Sequence, residues 1–299
     1  MSTEKIADIA AIEFVGALEA ATAVAQDGVF RDPMTPASIL GAMNRILTSP
    51  RPDRGLDVLA RTGVLSRVLP EVSALEGFGD SVKHKDVWAH TKQVILQTPN
   101  RLIVRWGALL HDIGKVPTRR FTSDGQVTFI GHPEVGARMF EKIAGRLPFP
   151  EDARKEIRFL IAAHLRASAY QEDWTDSAVR RFAKDAGPYV MDLLDLCRAD
   201  MTSKYEDKVR RGLRQINLLA QRVSDILRED ARPKALPKGL GEVLIREFDI
   251  VPGKPLGDLM KQLTALVNDG DLPPGAPYDE YVIFLRNHPT LLPGIAPRK

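Results

Sequence analysis

Apolar residues recur at helical spacing along nearly all of this 299-residue chain, and strand-like alternation is almost absent. In "YEDKVRRGLRQINLLAQRVSDILRED", for example, one apolar stripe recurs through an otherwise polar segment. A period near 3.6 residues predicts amphipathic helices. The clearest exception is "RRFTSDGQVTFIG", where an Asp-Gly turn separates two short β-tolerant runs and favours either a small hairpin or an irregular loop. We therefore expect an all-α fold.

Composition narrows the class of protein. The chain is 44% hydrophobic and 27% charged, with a formal net charge of +3, which is typical of a soluble globular protein and implies no obligatory nucleic-acid partner. Its single cysteine, Cys197, cannot form an internal disulfide. No apolar run approaches the ~18 residues that span a bilayer, and the N-terminus lacks the pattern of a signal peptide. We expect a cytoplasmic protein with no membrane partner and no DNA partner.

Segments rich in proline, glycine and small polar residues indicate how the chain is divided. We predict a helical N-terminal extension at residues 1–40, a helical body at 41–205 and a C-terminal helical domain at 206–299. Five of the six histidines fall in the central part. That part is therefore where we look for chemistry.

The stretch "RWGALLHDIGKVPTRRF" places His111 and Asp112 side by side in an otherwise apolar helical pattern. Burying an unpaired polar group is costly, and burying an isolated charge costs more. A bound metal ion would compensate both side chains.

Three more polar side chains fall on faces that the helical period predicts to be buried. His90 lies one turn from both Val87 and Val94, while His164 and Asp200 each follow apolar residues at three, four and seven positions. A lone inward histidine is usually a satisfied core residue, whereas a buried aspartate requires partners. Independent burial of all these groups would be costly, and one shared cation removes most of that cost. Imidazole and carboxylate ligands favour Mn, Fe, Co or Ni, with Mg less suited and Zn less natural at high coordination numbers.

His132, in "FIGHPEVGARMF", is a sixth candidate ligand. Pro133 and Glu134 suit the first turn of a helix, so His132 is predicted at the helix entrance. Taken alone it could be a loop histidine; beside the other ligands it is a candidate for a second metal position.

The order of His90, the His111-Asp112 doublet and the distal Asp200 resembles the HD superfamily of metal-dependent phosphohydrolases, and "HDIGK" is among that family's most specific strings. The resemblance implies an HD-domain helical bundle in which these four residues form one metal site. Members with two metals add two histidines between the doublet and the last aspartate. That role matches His132 and His164 in order, and it implies that Asp112 bridges the two ions.

The resemblance also implies candidates for catalysis and substrate binding. Asp112 and Lys115 are expected to act in catalysis, with Lys115 stabilising the phosphate, although an exposed helix-end lysine is the alternative. Arg119 and Arg120, just beyond Pro117, are weaker candidates for binding the same phosphate. His84, in "HKDVWAHT", either contacts substrate or metal at the pocket rim or is simply exposed.

The likeness extends beyond the doublet. "MNRILTSPRPDRGLDVLARTGVLSRVLPEVSALEGF" and "GEVLIREFDIVPGKPLGDLMKQLTALVNDGDL" resemble the neck and tail of bacterial CCA-adding tRNA nucleotidyltransferases and their poly(A) polymerase relatives, so the resemblance covers roughly residues 37–285. Residues 1–40 contain neither the Gly-rich turn nor the Asp-x-Asp pair of the nucleotidyltransferase head, so nucleotide addition by this chain alone is not expected. The resemblance instead implies metal-dependent 2′,3′-cyclic phosphodiesterase and phosphatase activity on nucleotides or RNA ends.

A second hypothesis is an RNA-binding or scaffold subunit without catalysis of its own, which either grips a tRNA-like stem or joins a separately encoded head. Its support is the neck and tail resemblance together with basic helix faces, because lysine and arginine contacts to phosphates dominate nonspecific RNA affinity. The basic residues are Lys208, Arg210, Arg211, Arg214 and Arg222, which are equally expected on an ordinary solvated face. A pure binder, however, needs no set of six metal ligands.

Overall fold

The computed structural model describes residues 35–79, 86–203, 205–231 and 235–293. Within these ranges the chain is helical apart from one two-stranded hairpin, which confirms the all-α prediction. Most of the expected helical extension at 1–40, and His84, lie outside the described residues. By its contacts the chain divides into two compact units, the first ending at Ile226 and the second beginning at Leu227.

The first unit is a bundle of helices that begins with a short N-terminal group. These helices are α1 (Pro36–Thr48), α2 (Pro52–Arg61), α3 (Val64–Val68) and α4 (Pro70–Ser73). The bundle continues with α5 (Val87–Gln97), α6 (Leu102–Leu110), α7 (Lys115–Thr118), α8 (His132–Arg146), α9 (Glu151–Ala163), α10 (Asp176–Ala186) and α11 (Val190–Asp200). Short 3₁₀ turns occupy Arg166–Ala169 and Gly187–Tyr189, and α12 (Glu206–Asp230) follows and crosses the boundary between the units.

Local sequence sets where several helices begin. Asp86 caps α5 by accepting a hydrogen bond from the backbone N–H of Ala89 at 3.1 Å, and Thr175 caps α10 in the same way from Ala178 at 3.2 Å. At α8, Gly131 adopts a left-handed conformation (φ 77°) that turns the chain into the helix, and Pro133 occupies the first turn. These N-terminal signals fix where α5 and α8 begin, and so they position His90 and His132 in the first turns of these helices.

Helix α6 is the centre of the first unit. Every residue from Val104 to Leu110 is buried, and α6 packs against α1, α5, α9 and α11. Its one buried charge, Arg105, donates through Nη1 to the carbonyls of Leu47 and Ser49, which offsets the cost of desolvation. His111 and Asp112 come directly after the last residue of this helix. Because the helix is packed against its neighbours on several sides, the doublet is held inside the bundle.

Between α7 and α8 the chain forms a small antiparallel hairpin of β1 (Arg120–Phe121) and β2 (Val127–Thr128). Arg120 pairs with Thr128 and Phe121 with Val127. The Asp-Gly turn therefore produces a hairpin, which was one of the two alternatives that the sequence left open.

The second unit has its own core. It contains α13 (Leu240–Phe248), α14 (Lys254–Asp269), α15 (Tyr278–Asn287) and a 3₁₀ turn at Pro289–Leu291. Leu244, Leu263 and Leu285 are fully buried, and the buried Tyr281 donates its hydroxyl to the carbonyls of Ala235 and Pro273. The boundary expected at 205/206 stays a prediction, whereas the contacts divide the chain inside α12. None of the helices in the described ranges combines the length and apolar character needed to cross a bilayer.

Candidate metal centre

Five segments bring the six predicted ligands together inside the first unit. His90 comes from the first turn of α5, the His111-Asp112 doublet follows the end of α6, His132 opens α8, His164 follows the end of α9, and Asp200 ends α11. All of them are buried except Asp200, whose side chain is 20% exposed. Their donor atoms form two groups, within each of which all atoms lie within 4.8 Å of one another.

The first group contains His90, His111 and Asp200. His90 Nε2 lies 3.0 Å from Asp200 Oδ1 and 3.4 Å from His111 Nε2, and His111 Nε2 lies 3.6 Å from Asp200 Oδ1. The second group contains Asp112, His132 and His164, with 3.1 Å between the two Nε2 atoms.

Asp112 connects the two groups through its two oxygens. Oδ2 lies 3.2 Å from His111 Nε2 and 3.5 Å from His90 Nε2, whereas Oδ1 lies 3.4 Å from His132 Nε2 and 3.9 Å from His164 Nε2. One buried carboxylate therefore faces both groups at once, as a ligand that bridges two cations must.

Hydrogen bonds at the rear of three rings select one tautomer. The Nδ1–H of His111 donates to the carbonyl of Ala108, that of His132 to Phe129 and that of His164 to Ile161, at 2.8–2.9 Å. In each case the acceptor is the carbonyl three residues earlier in the chain. A carbonyl only accepts, so Nδ1 carries the proton and the neutral ring keeps its Nε2 lone pair for the centre.

His90 is oriented by a side chain instead. Its Nδ1 lies 2.9 Å from the hydroxyl of Thr202, two residues beyond Asp200. The carbonyl three residues before it, Val87, accepts a bond from the hydroxyl of Thr91. Sequence reasoning missed Thr202, because a threonine after a helix end carries no signal of what its hydroxyl will meet.

The donor set fits a divalent cation. With their Nδ1 atoms protonated, His132 and His164 direct two lone pairs at each other across 3.1 Å, which is repulsive unless a cation lies between them. Burial lowers the pKa of His164 to about 4, so this ring is neutral near pH 7 and keeps its Nε2 lone pair. Bonds of about 2.0–2.2 Å at right or tetrahedral angles would separate neighbouring ligand atoms by about 2.9–3.5 Å, close to the spacings found here.

The charges of the site are mutually dependent. Burial by itself would raise the pKa of Asp112. When no cation is bound and Nε2 of His111 and His132 carries a proton, the charge and hydrogen bond of His111, the hydrogen bond of His132 and the charge of Lys115 hold this pKa well below its usual value. Burial likewise opposes ionisation of Asp200, and the hydrogen bond from His90 outweighs it and lowers that pKa. Burial would also lower the pKa of His111, but the charge of Asp112 raises it. Both carboxylates are therefore anionic and available to a cation.

Of the residues predicted to bind phosphate, Lys115 reaches the centre. Helix α6 ends at Leu110, but the turn that follows keeps a helical path, and Lys115 Nζ lies 2.7 Å from Asp112 Oδ2. Its side chain is 22% exposed, so the ammonium group stands between the centre and solvent. Arg119 and Arg120 are exposed on the hairpin side. Among the described residues, their hydrogen bonds go to backbone carbonyls, and neither side chain contacts a candidate ligand.

Gly114 permits the approach of α8 to the doublet. A Cβ at this position would lie 2.1 Å from the carbonyl oxygen of His132 and 2.7 Å from the backbone nitrogen of Gly136. The last two residues of "HDIGK" thus have different roles. Gly114 allows the close backbone contact that positions His132, and Lys115 places its ammonium group beside Asp112.

Comparison with known proteins agrees with this geometry. Residues 82–226 match the HD domain family. This part of the chain is an HD domain. HD domains form a superfamily of metal-dependent phosphohydrolases, and all six candidate ligands lie within the matched region of this one.

The HD domain belongs to a longer region of homology. The chain is 30% identical over 230 residues to an A-adding tRNA nucleotidyltransferase of Deinococcus radiodurans, a match that covers 74% of this chain and 52% of that protein. It is 34% identical over 163 residues to a CC-adding tRNA nucleotidyltransferase of Thermus thermophilus, covering 52% of this chain and 37% of the relative. A multifunctional CCA protein of Dechloromonas aromatica is 34% identical over 177 residues, a match that covers 53% of this chain and 40% of that protein. The chain therefore spans about half the length, or less, of these relatives.

Proposed function

We propose that the HD domain hydrolyses phosphoesters of nucleotides or RNA ends, with 2′,3′-cyclic phosphodiester and terminal phosphomonoester bonds as its substrates. The observation that carries this proposal is the position of Asp112, whose two oxygens each face a separate group of histidine donors. Paired cations 3.5–4 Å apart are typical of enzymes that displace a group at phosphorus.

Divalent cations held by these residues would lower the pKa of bound water toward about 7 and offset negative charge on phosphoryl oxygens. In hydrolysis of a 2′,3′-cyclic phosphate, a water oxygen bonds to phosphorus, one bond from phosphorus to a ribose oxygen breaks, and that ribose oxygen takes up a proton. The donor set of four imidazoles and two carboxylates favours Mn, Fe, Co or Ni over Mg.

Lys115 would place a positively charged side chain beside the phosphate of the substrate. Its ammonium group has three donors, one of which is directed at Asp112 Oδ2 at 2.7 Å. The remaining donors are free to bind a nonbridging phosphoryl oxygen at the edge of the centre. The ring of Phe129, 5.6 Å from Nζ, supports the ammonium group on one side.

RNA ends, and tRNA in particular, are supported as substrates by the relatives, whose names assign them to tRNA nucleotide addition. We also propose that the reaction takes place in the cytoplasm. Because the match covers only part of those relatives, addition of nucleotides is not part of the proposal.

The test is a hydrolysis screen of the metal-stripped protein reloaded with Mn, Co or Ni, using 2′,3′-cyclic nucleotides, linear nucleotides and RNA carrying a terminal phosphate. We expect hydrolysis that a chelator abolishes and that Asp112→Asn reduces to background. Asp258→Asn, which changes a 52% exposed carboxylate on α14, is the matched control and should retain full activity. Hydrolysis that survives in Asp112→Asn, or its absence with every metal and substrate, would contradict the proposal.

A second candidate function, RNA binding without catalysis, is favoured by the first turns of α12. Lys208, Arg210, Arg211 and Arg214 are all exposed there, and they line shallow depressions of about 410 and 560 Å³. Arg210 pairs with Asp207, and Arg214 lies 4.0 Å from Glu172, so carboxylates offset part of this charge. If four phosphates are neutralised, the affinity for single-stranded RNA should fall with a slope of about −3 in log K against log salt. Salt-independent or undetectable binding would exclude this role.

A further inference from the structure

A row of cations and aromatic rings runs from the candidate metal centre to the hairpin. Lys115, which contacts Asp112, lies over the ring of Phe129, and Phe129 lies 6.2 Å from Phe78, centroid to centroid. The guanidinium of Arg119 then stands 4.7 Å from the ring of Phe78 and 5.6 Å from that of Phe121. We call these five residues, Lys115, Phe129, Phe78, Arg119 and Phe121, the cation–aromatic ladder.

The outer end of the ladder is open to solvent. Phe121 is 68% exposed, and one side of its ring is covered by the Arg119 guanidinium. Single exposed apolar residues are common, but this one stands on a hairpin with only two residue pairs, beside two arginines. Because most of Phe121 is exposed, its ring is accessible to a ligand.

The two arginines beside Phe121 bond to backbone carbonyls. Arg119 donates to the carbonyl of Gly79 and Arg120 to those of Pro117 and Arg119. Within the described ranges, neither guanidinium forms an ion pair with a carboxylate. The nearby Asp124 is instead occupied by Thr122 and Gln126 at the turn. A flat ring beside two available guanidinium groups complements a planar base attached to a phosphate.

We propose that the cation–aromatic ladder binds an unpaired nucleotide, with its base stacked on Phe121 and its phosphate beside Arg119 and Arg120, and so directs single-stranded RNA ends into the centre. This inference deepens the proposed function and rests on it for the reaction, because it names unpaired nucleotides rather than small phosphate esters as the substrate class. Stacking on a ring is tolerant of sequence, since every base has a π-face. A duplex, whose bases are already stacked on one another, offers the ladder no free base.

Binding can be measured without hydrolysis. A short single-stranded RNA with 2-aminopurine at its 3′ end is titrated with the full chain in excess chelator, and quenching of 2-aminopurine reports stacking. We expect saturable quenching by the natural protein and about 5- to 150-fold weaker binding by Phe121→Ala, the range found when a stacking ring is removed. Phe121→Trp should retain the binding, and Ile283→Ala, which truncates a residue that is 57% exposed on α15, should not change it.

The outcomes separate this inference from the proposed function. Equal affinities of the natural protein and Phe121→Ala, no quenching at all, or equally strong competition by a blunt duplex would overturn the ladder as a base-binding site. Hydrolysis by the metal-loaded protein with unchanged RNA affinity in Phe121→Ala would leave the proposed function standing and remove the ladder. If quenching depends on Phe121 but the metal-loaded protein hydrolyses none of the substrates, the ladder stands as a base-binding site and the proposed function is refuted. Phe121→Ala should fold normally because the ring is mostly exposed, and circular dichroism checks this.

Discussion

The hydroxyl of Thr202 lies 2.9 Å from Nδ1 of His90, and it is the side chain that backs this ring of the centre. The other three rings are backed by carbonyls of their own segments, so their orientation follows from the local backbone. His90 depends on a residue 112 positions away in the chain. Partners of this kind hold a ligand ring in position and typically change metal affinity by 10–100-fold when removed.

Thr202→Val should therefore weaken binding of one metal ion by about 10- to 100-fold, because valine preserves the shape and removes the hydroxyl. Isothermal titration of the metal-free protein with Mn or Ni measures the effect. Thr202→Ser keeps the hydroxyl and should bind nearly as well as the natural protein. Thr264→Val on α14, whose hydroxyl bonds to the carbonyl of Met260, is the matched control. Similar affinities for the valine and serine variants would refute the role of the hydroxyl.

The two donor groups predict two ions per chain, and His132→Gln should reduce this number to one. His132 belongs to the second group, so its loss leaves the donors of His90, His111 and Asp200 in place. Elemental analysis of protein reloaded with metal and then desalted gives the count. His288→Gln replaces the sixth histidine, which lies at the end of α15 and stacks on Phe284, and should leave two ions bound. A natural protein that binds a single ion would contradict the two-ion arrangement.

Gly114→Ala should destabilise the protein and disturb the second group together. The added Cβ would lie 2.1 Å from the carbonyl oxygen of His132, and backbone atoms cannot yield as a flexible side chain can. Forcing atoms into a packed site typically costs about 1–3 kcal/mol in the free energy of unfolding. Urea unfolding and metal counting measure the two effects.

The control for Gly114→Ala is Gly145→Ala, within α8, where a Cβ would meet nothing within 4 Å. Alanine is the better helix former, so this change should be neutral or stabilise by up to about 1 kcal/mol. Equal stability of the two variants would show that the contact at Gly114 is not tight.

Away from the centre, Glu156 on α9 predicts a measurable pH dependence. Burial, with a hydrogen bond to Asp192 and that residue's negative charge, raises the pKa of Glu156 from 4.5 to about 7. The folded state thus holds a proton that the unfolded state has released, so this group lowers stability as pH rises from about 4.5 to 7, and the loss persists above 7.

Glu156→Gln cannot ionise, so it should be more stable than the natural protein at pH 8 and close to it at pH 4.5. Urea unfolding at the two pH values, in chelator, gives the difference. Glu280→Gln, an exposed position in the first turn of α15, should show no comparable change between these pH values. A pH-independent difference for Glu156→Gln would mean that Glu156 has an ordinary pKa.

Sequence alone determined the helical class and the identity of the candidate ligands. The apolar period is a local property of the sequence. Where the period is clear, it also shows which polar residues, such as His90 and His164, fall on the apolar face of a helix. The order of these residues around "HDIGK" also indicated the HD family, which the match at residues 82–226 bears out. The resemblance to that family also implied that Asp112 lies between the two metal positions.

Only the tertiary structure decided how these residues meet. Asp112 Oδ2 faces His90 and Oδ1 faces His132, Thr202 supports His90, and Phe78 contacts both Phe129 and Arg119. Each of these contacts joins segments that are separate in the chain. Such contacts depend on how α5, α6, α8, α9 and α11 pack, which periodicity does not encode. Side-chain hydroxyls and rings are common in any sequence, and their partners are set by distances that exist only after folding.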